Sequence, residues 1–451
     1  MKFRKFGKAL LISALSVGAG LSVTSCIQSY TVGYLYVTGT QTAGTPGHGI
    51  VSGFKIDHNT GGLTAINGLP VASGGANPVR AVLLTGSRFL YVLNRGEFAA
   101  GATDCTTASP CTSSNITLFA VGGNGILTAQ PQQFFSQGNN PLRMISDAGG
   151  NYIYVLDHDA PDSGVTTIVN GVPTNSCTLA LGSTTCGDVT TFKVDQTTGR
   201  LSLVINAQVT TASGQPLPYF PVPQDPIDML LSGASLLTLT GNATSGDIVF
   251  PYSYSSTTGQ LTVSQNGPQI LNIHQATAIQ SGGGIIYVLD NEPITVGVTT
   301  SPSQILPFTV GSGGSLQSAP AGITPDDPTQ SNPLFVLVEA AKSKWLYVAN
   351  TGDNASQNNT QSGLAGFTIE PNAGNLLTPL GGSPWGTGAG PQCLVEDPSN
   401  SFLYTADFNA STVTGHTIDQ VSGNLDTLTH KPKNYPLSGQ ATYCLIDSRT
   451  S

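Results

Sequence analysis

Residues 332–376 contain one complete unit of a sequence repeat: Asn-Pro-Leu-Phe at 332–335, Trp-Leu-Tyr-Val at 345–348, Gly-Phe-Thr-Ile-Glu at 366–370 and Gly-Asn-Leu at 374–376. The Leu-Tyr-Val segment has the composition of a buried strand, because β-branched and aromatic residues dominate it. Gly374 fits a tight turn that requires a positive φ, with a strand on either side. The unit therefore predicts short antiparallel strands joined by turns.

Three signals recur along the chain in a fixed order. The Leu-Tyr-Val type of strand occurs at 34–37, 89–92, 152–155, 236–239, 285–288, 345–348 and 402–405. The Gly-x-Leu turn occurs at 61–63, 125–127, 199–201, 259–261, 314–316, 374–376 and 423–425. The strand opening of the Asn-Pro type occupies 77–80, 140–143, 225–228, 332–335 and 390–393, and 274–277 and 441–444 fill the two remaining places without the proline. Seven units of four antiparallel strands predict an all-β fold, a seven-bladed β-propeller.

The order of the signals also predicts how the ring closes. The chain enters the repeat in a second strand, at 34–37, and leaves it in a first strand, at 442–447. The last blade would then combine one C-terminal strand with three N-terminal strands. Such closure pairs strand edges that would otherwise be exposed.

The composition excludes two classes of protein. Charged residues make up 9% of the 451 residues and the net charge is −9, which argues against a nucleic-acid partner because phosphate binding needs a basic surface. The mean hydropathy of +0.05 is too low for a bundle of membrane-spanning helices. The 54 glycines and 29 prolines favour turns over long helices.

The N-terminal sequence has the pattern of an export signal. Basic residues from Lys2 to Lys8 precede an apolar run from Ala9 to Val23, and Cys26 follows small residues. This pattern predicts a lipoprotein signal peptide at 1–25, a tether at 26–32 that is lipidated on Cys26, and the propeller at 33–451. A plain cleavage near Ser25 and an uncleaved anchor helix are the alternatives. We expect an exported monomer, lipid-anchored to the membrane of the cell envelope, on the periplasmic or the outer surface.

Six further cysteines remain after Cys26. They are Cys105, Cys111, Cys177, Cys186, Cys393 and Cys444. An even number in an oxidising compartment predicts disulfides, with the two close pairs joined locally. Cys393 and Cys444 occupy the same place in neighbouring innermost strands, which predicts a third disulfide. Metal binding is the alternative, but neither close pair has Cys-x-x-Cys spacing; we expect no metal and no cofactor.

The charged residues of the innermost strands are candidates for a site. The fourth position of three successive repeats is Arg80, Arg143 and Asp228. The arginines could bind a substrate carboxylate or phosphate, and Asp228 could pair with them or act as a base. An ion-pair network between blades explains the same residues. His274 opens its own innermost strand and is the candidate general base, although a lone histidine beside a loop is often structural.

Long loops are expected on the face where His274 lies. They span 94–115, 157–188 and 205–224, and two of them contain the close cysteine pairs. Long loops on one rim predict a surface that binds a small molecule or a protein. Asp157-His-Asp159, with Asp162, could supply metal ligands, but its spacing fits no defined calcium loop. We expect it to form a solvated turn.

The repeats resemble a known family. Leu346-Tyr-Val-Ala-Asn350, with the Asn-Pro opening and Gly366-Phe-Thr-Ile-Glu370, is similar to the seven-bladed lactonases, which include 6-phosphogluconolactonase and the carboxymuconate-lactonising enzyme. The resemblance implies a cluster of histidine, arginine and glutamate at the channel, which carries over to His274, Arg143 and Arg80. In that family a charged segment follows the histidine strand; here Leu289-Asp-Asn-Glu292 stands in its place.

Two functions are compatible with the sequence. The first is a lipid-anchored lactonase-like hydrolase, in which His274 or an acidic residue activates water and an arginine stabilises the oxyanion. Its catalytic residues would be His274, Arg143 and Asp228, and its substrate-binding residues Arg80 and Arg143. The second is a non-catalytic envelope propeller that binds a ligand, glycan or partner protein. Convergence of the four residues in one pocket favours the first.

Overall fold

The protein forms a ring of seven antiparallel sheets around a central channel in a computed structural model. The structure describes residues 30–448 except 42–47, 85, 87, 100–101, 103–104, 162–166, 170–171, 175, 212, 242–245, 265–267, 353–360 and 430. The predicted signal peptide and Cys26 lie outside these residues. The predicted seven-bladed propeller is confirmed, and we number the blades in chain order from the first Asn-Pro strand.

Blades 1 to 4 follow one another along the chain. From the channel outwards, blade 1 contains Pro78–Leu84, Phe89–Asn94, Asn115–Val121 and Leu127–Phe134; blade 2 contains Asn139–Ser146, Tyr152–Asp159, Gly187–Val194 and Leu201–Leu203, with Phe220–Val222; blade 3 contains Pro226–Ser232, Ser235–Thr240, Ile248–Tyr254 and Leu261–Val263, with Gln269–Ile270; and blade 4 contains Ala276–Gly282, Ile285–Asp290, Gln304–Val310 and Leu316–Ser318, with Thr324–Pro325. The last short strand of blades 2, 3 and 4 pairs with the third strand.

Blades 5 to 7 complete the ring. Blade 5 contains Pro333–Val338, Trp345–Asn350, Gly363–Glu370 and Leu376–Pro379; blade 6 contains Pro391–Glu396, Phe402–Asp407, Thr412–Ile418 and Leu425–Thr427, with Asn434–Pro436; and blade 7 contains Gly439–Asp447, Thr31–Gln41, Gly49–Asp57 and Leu63–Ala65, with Val71–Ala72. Outside the blades lie the strand pairs Thr167–Val169 with Val172–Thr174, Asn206–Thr210 with Pro216–Leu217, and Ile294–Val296 with Thr299–Ser301, the helix Ser176–Leu181, and the 3-10 turns Ser312–Gly314 and Pro371–Ala373.

Blade 7 closes the ring as predicted. Its innermost strand, Gly439–Asp447, pairs antiparallel with Thr31–Gln41, and Val37 lies opposite Cys444. Cys444 is joined to Cys393 of blade 6, with 5.8 Å between their Cα atoms. The predicted third disulfide is therefore confirmed, together with Cys105–Cys111 and Cys177–Cys186.

The second strand of each blade is buried on both faces, because it lies between two neighbouring blades. All six residues of Trp345–Asn350 are buried, as are all six of Ile285–Asp290. This position explains why these strands are continuous apolar runs rather than alternating ones. The innermost strands instead mix buried and half-buried residues, and Arg80 is one of the half-buried ones.

A hydrogen bond between blades joins two of the repeat signals. In four blades the hydroxyl of the Leu-Tyr-Val tyrosine donates to the carbonyl of the Gly-x-Leu glycine in the next blade. The pairs are Tyr36–Gly125 at 2.7 Å, Tyr91–Gly199 at 2.6 Å, Tyr347–Gly423 at 2.7 Å and Tyr404–Gly61 at 2.7 Å. Gly423 has a φ of 76°, and a Cβ there would overlap the ring of Trp345. The glycine and the aromatic residue therefore occur together because they pack together.

We expect the substitution Tyr347→Phe to lower the free energy of unfolding by about 1–2 kcal/mol, because the buried Gly423 carbonyl loses its donor. Tyr287→Phe is the matched control: Tyr287 holds the same place in blade 4, is buried, and its hydroxyl has no hydrogen-bond partner. We expect that control to be neutral or slightly stabilising. Urea denaturation of both variants checks the difference, and equal losses would contradict this role of the hydroxyl.

Candidate functional site

Three of the four predicted site residues line the central channel. Arg80, Arg143 and Asp228 lie on the innermost strands of blades 1, 2 and 3, and they border one cavity of about 520 Å³. The cavity is also lined by Gln280, Glu396 and Tyr443. The repeat alignment thus brought together residues far apart in the chain, because equivalent positions of successive innermost strands meet at the axis.

Arg143 and Asp228 form an ion pair between blades 2 and 3. The Arg143 Nε atom lies 2.7 Å from Asp228 Oδ1, and Asp228 is almost fully buried. Two backbone groups also donate to this carboxylate, Met229 N–H at 2.9 Å and Ile279 N–H at 3.0 Å. Since Ile279 belongs to blade 4, Asp228 links three blades. The alternative of an ion-pair network is therefore correct for this pair, although the pair also faces the channel.

Arg80 lies against an aromatic side chain rather than against a carboxylate. Its guanidinium carbon lies 4.6 Å from the centre of the Tyr443 ring, across the closure between blades 7 and 1, and its Nη1 atom donates to the Val79 carbonyl at 3.3 Å. Burial, and then the charge of Arg143, lower the pKa of Arg80 to about 10. The group is still protonated at neutral pH, and an anion between the two arginines would relieve their repulsion.

The channel opens on the loop-bearing face into a wider mouth of about 880 Å³. Arg80, Arg143 and Arg95 line this mouth, together with amides and hydroxyls such as Gln392 and Asn409. No aspartate or glutamate is among the described residues that line it. In a chain with 16 basic residues and a net charge of −9, three arginines meet at this opening, and one of them, Arg143, is paired with Asp228. Such an opening attracts carboxylates and phosphates.

His274 lies apart from these arginines. It does not line the channel cavity or its mouth, as far as the structure describes them. Its side chain is 45% exposed, and Nδ1 is 3.1 Å from Glu292 Oε1. Glu292 belongs to the acidic segment that follows the next strand. The predicted convergence therefore holds for Arg80, Arg143 and Asp228 but does not include His274, whose catalytic role stays a prediction.

A second cleft of about 560 Å³ lies on the same face. It is bordered by His158, Asp159 and Asp225 and by the loops of both local disulfides. His158 Nδ1 is 3.0 Å from Asp159 Oδ1, and Thr107 of the first long loop donates to the same oxygen at 2.7 Å. The hydrogen bond that His158 donates to Asp159 raises the pKa of His158. The long loops thus converge on one rim, as predicted.

The expectation of a solvated turn at 157–159 is wrong. These residues end the strand Tyr152–Asp159, and Asp157 has no exposed surface. The spacing of the acidic residues suggested a turn. In the structure Asp157 instead takes the place in the second strand that Asn94 takes in blade 1. Asp162 lies outside the described residues. Among the residues that are described, no group of three or more His, Cys, Asp or Glu side chains could hold a metal ion.

Two channel residues were missed by the sequence reasoning. Arg95 follows the Leu-Tyr-Val strand directly, a position that the strand-opening signal does not sample. Glu396 ends the innermost strand of blade 6, where Oε2 accepts the Ala340 N–H at 2.8 Å. Burial raises the pKa of Glu396 to about 7. An alignment of the last residue of each innermost strand, in addition to the fourth position of each repeat, would have identified Glu396.

Fold and site together define a class: a seven-bladed propeller with an arginine-lined channel mouth. Solved structures with this fold include a proposed 6-phosphogluconolactonase from Bacteroides fragilis, at 15% identity and a TM-score of 0.60 over 92% of this chain and 98% of that one. A second, from Bacteroides uniformis, has 13% identity and a TM-score of 0.63, over 92% and 99%. The periplasmic gluconolactonase of Pseudomonas aeruginosa has 16% identity and a TM-score of 0.59, over 92% and 99%.

These likenesses confirm the lactonase-type propeller fold expected from the repeats. In sequence, no protein-family model and no curated protein matches the chain. At such low identity the shared fold does not carry an activity with it. The described residues also contain no helix that is long and apolar enough to cross a membrane.

We expect Arg143→Met and Asp228→Leu each to destabilise the protein, because each leaves the other charge partly buried and unpaired. In the double variant both charges are gone, so its loss should fall short of the sum by about 1–3 kcal/mol. Denaturant titrations of the four proteins measure this coupling. Strictly additive losses would show that the ion pair does not link the blades.

Proposed function

We propose that the protein binds an anionic lactone or sugar acid at the channel mouth and hydrolyses the lactone there. The observation that supports this most directly is the set of Arg80, Arg95 and Arg143 around a mouth lined by no described acid. Planar guanidinium groups match carboxylate and phosphate oxygens by paired hydrogen bonds. The mouth of about 880 Å³ is within the size range of small-molecule sites.

The geometry suggests a role for each side chain in lactone hydrolysis. Arg80 and Arg95 would hold the anionic group, and Arg143 would stabilise the oxyanion that forms when water attacks the ring carbonyl. Asp228 borders the channel cavity below the mouth, 2.7 Å from Arg143, and would accept a proton from the attacking water. The ester C–O bond then breaks, the ring oxygen takes a proton, and a hydroxy acid leaves.

A non-catalytic envelope propeller is the second candidate. It is favoured by the three donors that already occupy Asp228, from Arg143, Met229 and Ile279. A carboxylate whose two oxygens already accept three hydrogen bonds has little room to accept one from an attacking water. It is also favoured by the distance of His274 from the channel lining. In this case the arginines would still bind an anionic ligand, without turnover.

We expect the purified protein to hydrolyse at least one member of a panel of neutral, carboxylated and phosphorylated lactones, with the anionic ones preferred. Arg143→Ala should lower the rate by about 100-fold or more, the typical loss of an oxyanion donor. Asp228→Asn should lower it by a similar factor. Arg200→Ala is the matched control, since Arg200 is exposed and lies on the outer turn of blade 2.

His274→Ala separates the two candidate bases. A loss of rate in this variant would assign the proton transfer to the imidazole, and an unchanged rate would leave it with Asp228. If no lactone is turned over, calorimetry with the corresponding hydroxy acids decides between binding and no site. Binding that Arg80→Ala abolishes would establish the second candidate, and an absence of both turnover and binding would refute the proposed site.

We also propose that the propeller is exported and held at the envelope by lipid on Cys26. The three disulfides indicate an oxidising environment, and the small residues before Cys26 support acylation. In a bacterial host, we expect Cys26→Ser to move the protein from the membrane fraction to the soluble fraction. Cys111→Ser is the control, because it removes a cysteine without removing the acylation site. A wild-type protein found only in the soluble fraction would contradict the anchor.

A further inference from the structure

In blades 1, 4 and 6 the second strand ends in a polar residue that faces the first residue of the third strand. In blade 1 the Asn94 amide donates to the Asn115 carbonyl oxygen at 2.8 Å. In blade 4 the Gln304 amide donates to Asp290 Oδ2 at 2.7 Å, and in blade 6 the Thr412 hydroxyl donates to Asp407 Oδ2 at 3.0 Å. In all three blades a donor faces an acceptor.

Blade 2 has two carboxyl groups at this place. Asp157 and Asp188 are directly opposite each other in the strand register, and neither has exposed surface. One oxygen of each has a donor: the Ser136 hydroxyl lies 2.7 Å from Asp157 Oδ1, and the Thr190 hydroxyl lies 3.2 Å from Asp188 Oδ2. The other two oxygens, Asp157 Oδ2 and Asp188 Oδ1, are buried without a hydrogen-bond partner.

The pair is enclosed by backbone. A Cβ added at Gly138 would overlap Asp188 Oδ1 and would press on the Asp157 Cβ atom. The chain therefore passes directly over the two carboxyls, where a larger residue than glycine has no room. Two negative charges in such a place would be neither hydrated nor paired, and burying them would be very costly.

We infer that Asp157 and Asp188 hold one proton between them at neutral pH, which makes blade 2 a pH-sensitive element of the ring. The shared proton supplies the donor that asparagine, glutamine or threonine supplies in blades 1, 4 and 6. The pair is thus the acidic counterpart of Asn94 and Asn115. Asp157 lies in the strand that also carries His158 and Asp159 of the rim cleft.

The surrounding charges favour retention of the proton. Burial raises the pKa of Asp157 to about 8, and burial together with the charge of Asp157 raises the pKa of Asp188. Asp159 raises the pKa of both. The other ionisable groups on the elements packed around the pair are His158, Arg143, Lys193, Asp225, Asp228 and, on blade 1, Arg95. His158 pairs with Asp159 and Arg143 with Asp228, so neither cation contacts the pair.

The sign of the pH effect follows from these values. An aspartate in the unfolded chain has a pKa of about 3.9, whereas burial and the repulsion between the two carboxyls raise the pKa of the folded pair above this value. Between the two pKa values the folded protein binds the extra proton, so its stability falls as the pH rises. The stabilising contribution is complete below the lower value and is lost once the pH has passed the upper one.

Substitution of one partner by its amide tests the inference. Asp188→Asn and Asp157→Asn each replace the shared proton by a permanent N–H donor. We expect the melting temperature of either variant to exceed that of the wild type at pH 8, with the difference shrinking towards pH 4. Infrared spectra of the wild type at pH 7 should show the C=O absorption of buried protonated carboxyls, and this absorption should be weaker in both variants.

Asp407→Asn is the matched control in blade 6. Asp407 holds the place of Asp157 but is surrounded by donors, the hydroxyls of Thr405, Thr412 and Thr414 and the Gly388 N–H. An amide there loses acceptors, so its melting temperature should fall. The inference is overturned if the blade 2 variants melt below the wild type at pH 8, or if their difference does not change with pH. If neither variant folds, the infrared band of the wild type decides alone: its absence at pH 7 refutes the shared proton.

Discussion

A hydrogen bond from a buried tyrosine hydroxyl to a glycine carbonyl of the next blade joins the blades at four of the seven boundaries of the ring. It fixes the position of one blade against its neighbour at a single atom, because the glycine carbonyl is presented by a turn with positive φ and no Cβ. The first aromatic residue of the same strand, such as Trp345, covers that turn. An apolar interface alone would allow the blades to slide, whereas a directional bond selects one register. This contact explains why Leu-Tyr-Val and Gly-x-Leu recur together in the sequence.

The charged side chains of the channel also make contacts between neighbouring blades. Three contacts cross a boundary between blades: Arg80 lies over the Tyr443 ring, Arg143 pairs with Asp228, and Asp228 accepts the Ile279 N–H. These contacts hold the arginines in place before any ligand arrives, so little side-chain entropy remains to be lost on binding. The same contacts also occupy both oxygens of the Asp228 carboxylate. A site built in this way is well suited to binding an anion, and its use for proton transfer depends on how far a substrate displaces the donors of Asp228.

Much of the architecture follows from the sequence because each signal has a local physical cause. The repeats predicted the blades, the closure and the Cys393–Cys444 bridge, since equivalent positions in a ring are neighbours in space. The alignment also brought Arg80, Arg143 and Asp228 together. It could not show that His274 lies away from the channel, because the side chain of a loop residue at the start of a strand has no fixed direction. Nor could it show that Asp157 is buried: a carboxyl and an amide occupy the same place in different blades, and only the opposite residue, Asp188 or Asn115, shows which bonds are possible.

The closure of blade 7 has a consequence for folding. The hydroxyls of Thr38 and Thr442 lie 3.0 Å apart although 404 positions separate them in the chain. Contacts of such long range form late, because forming them costs the conformational entropy of closing a loop of nearly the whole chain. Until then blades 1 and 6 would face a gap, and Gly439–Asp447 and Thr31–Gln41 would each have an open edge. An intermediate with two complementary free edges can pair with a second molecule as readily as with itself. The Cys393–Cys444 bridge, beside that seam, would favour closure within one molecule over exchange between two.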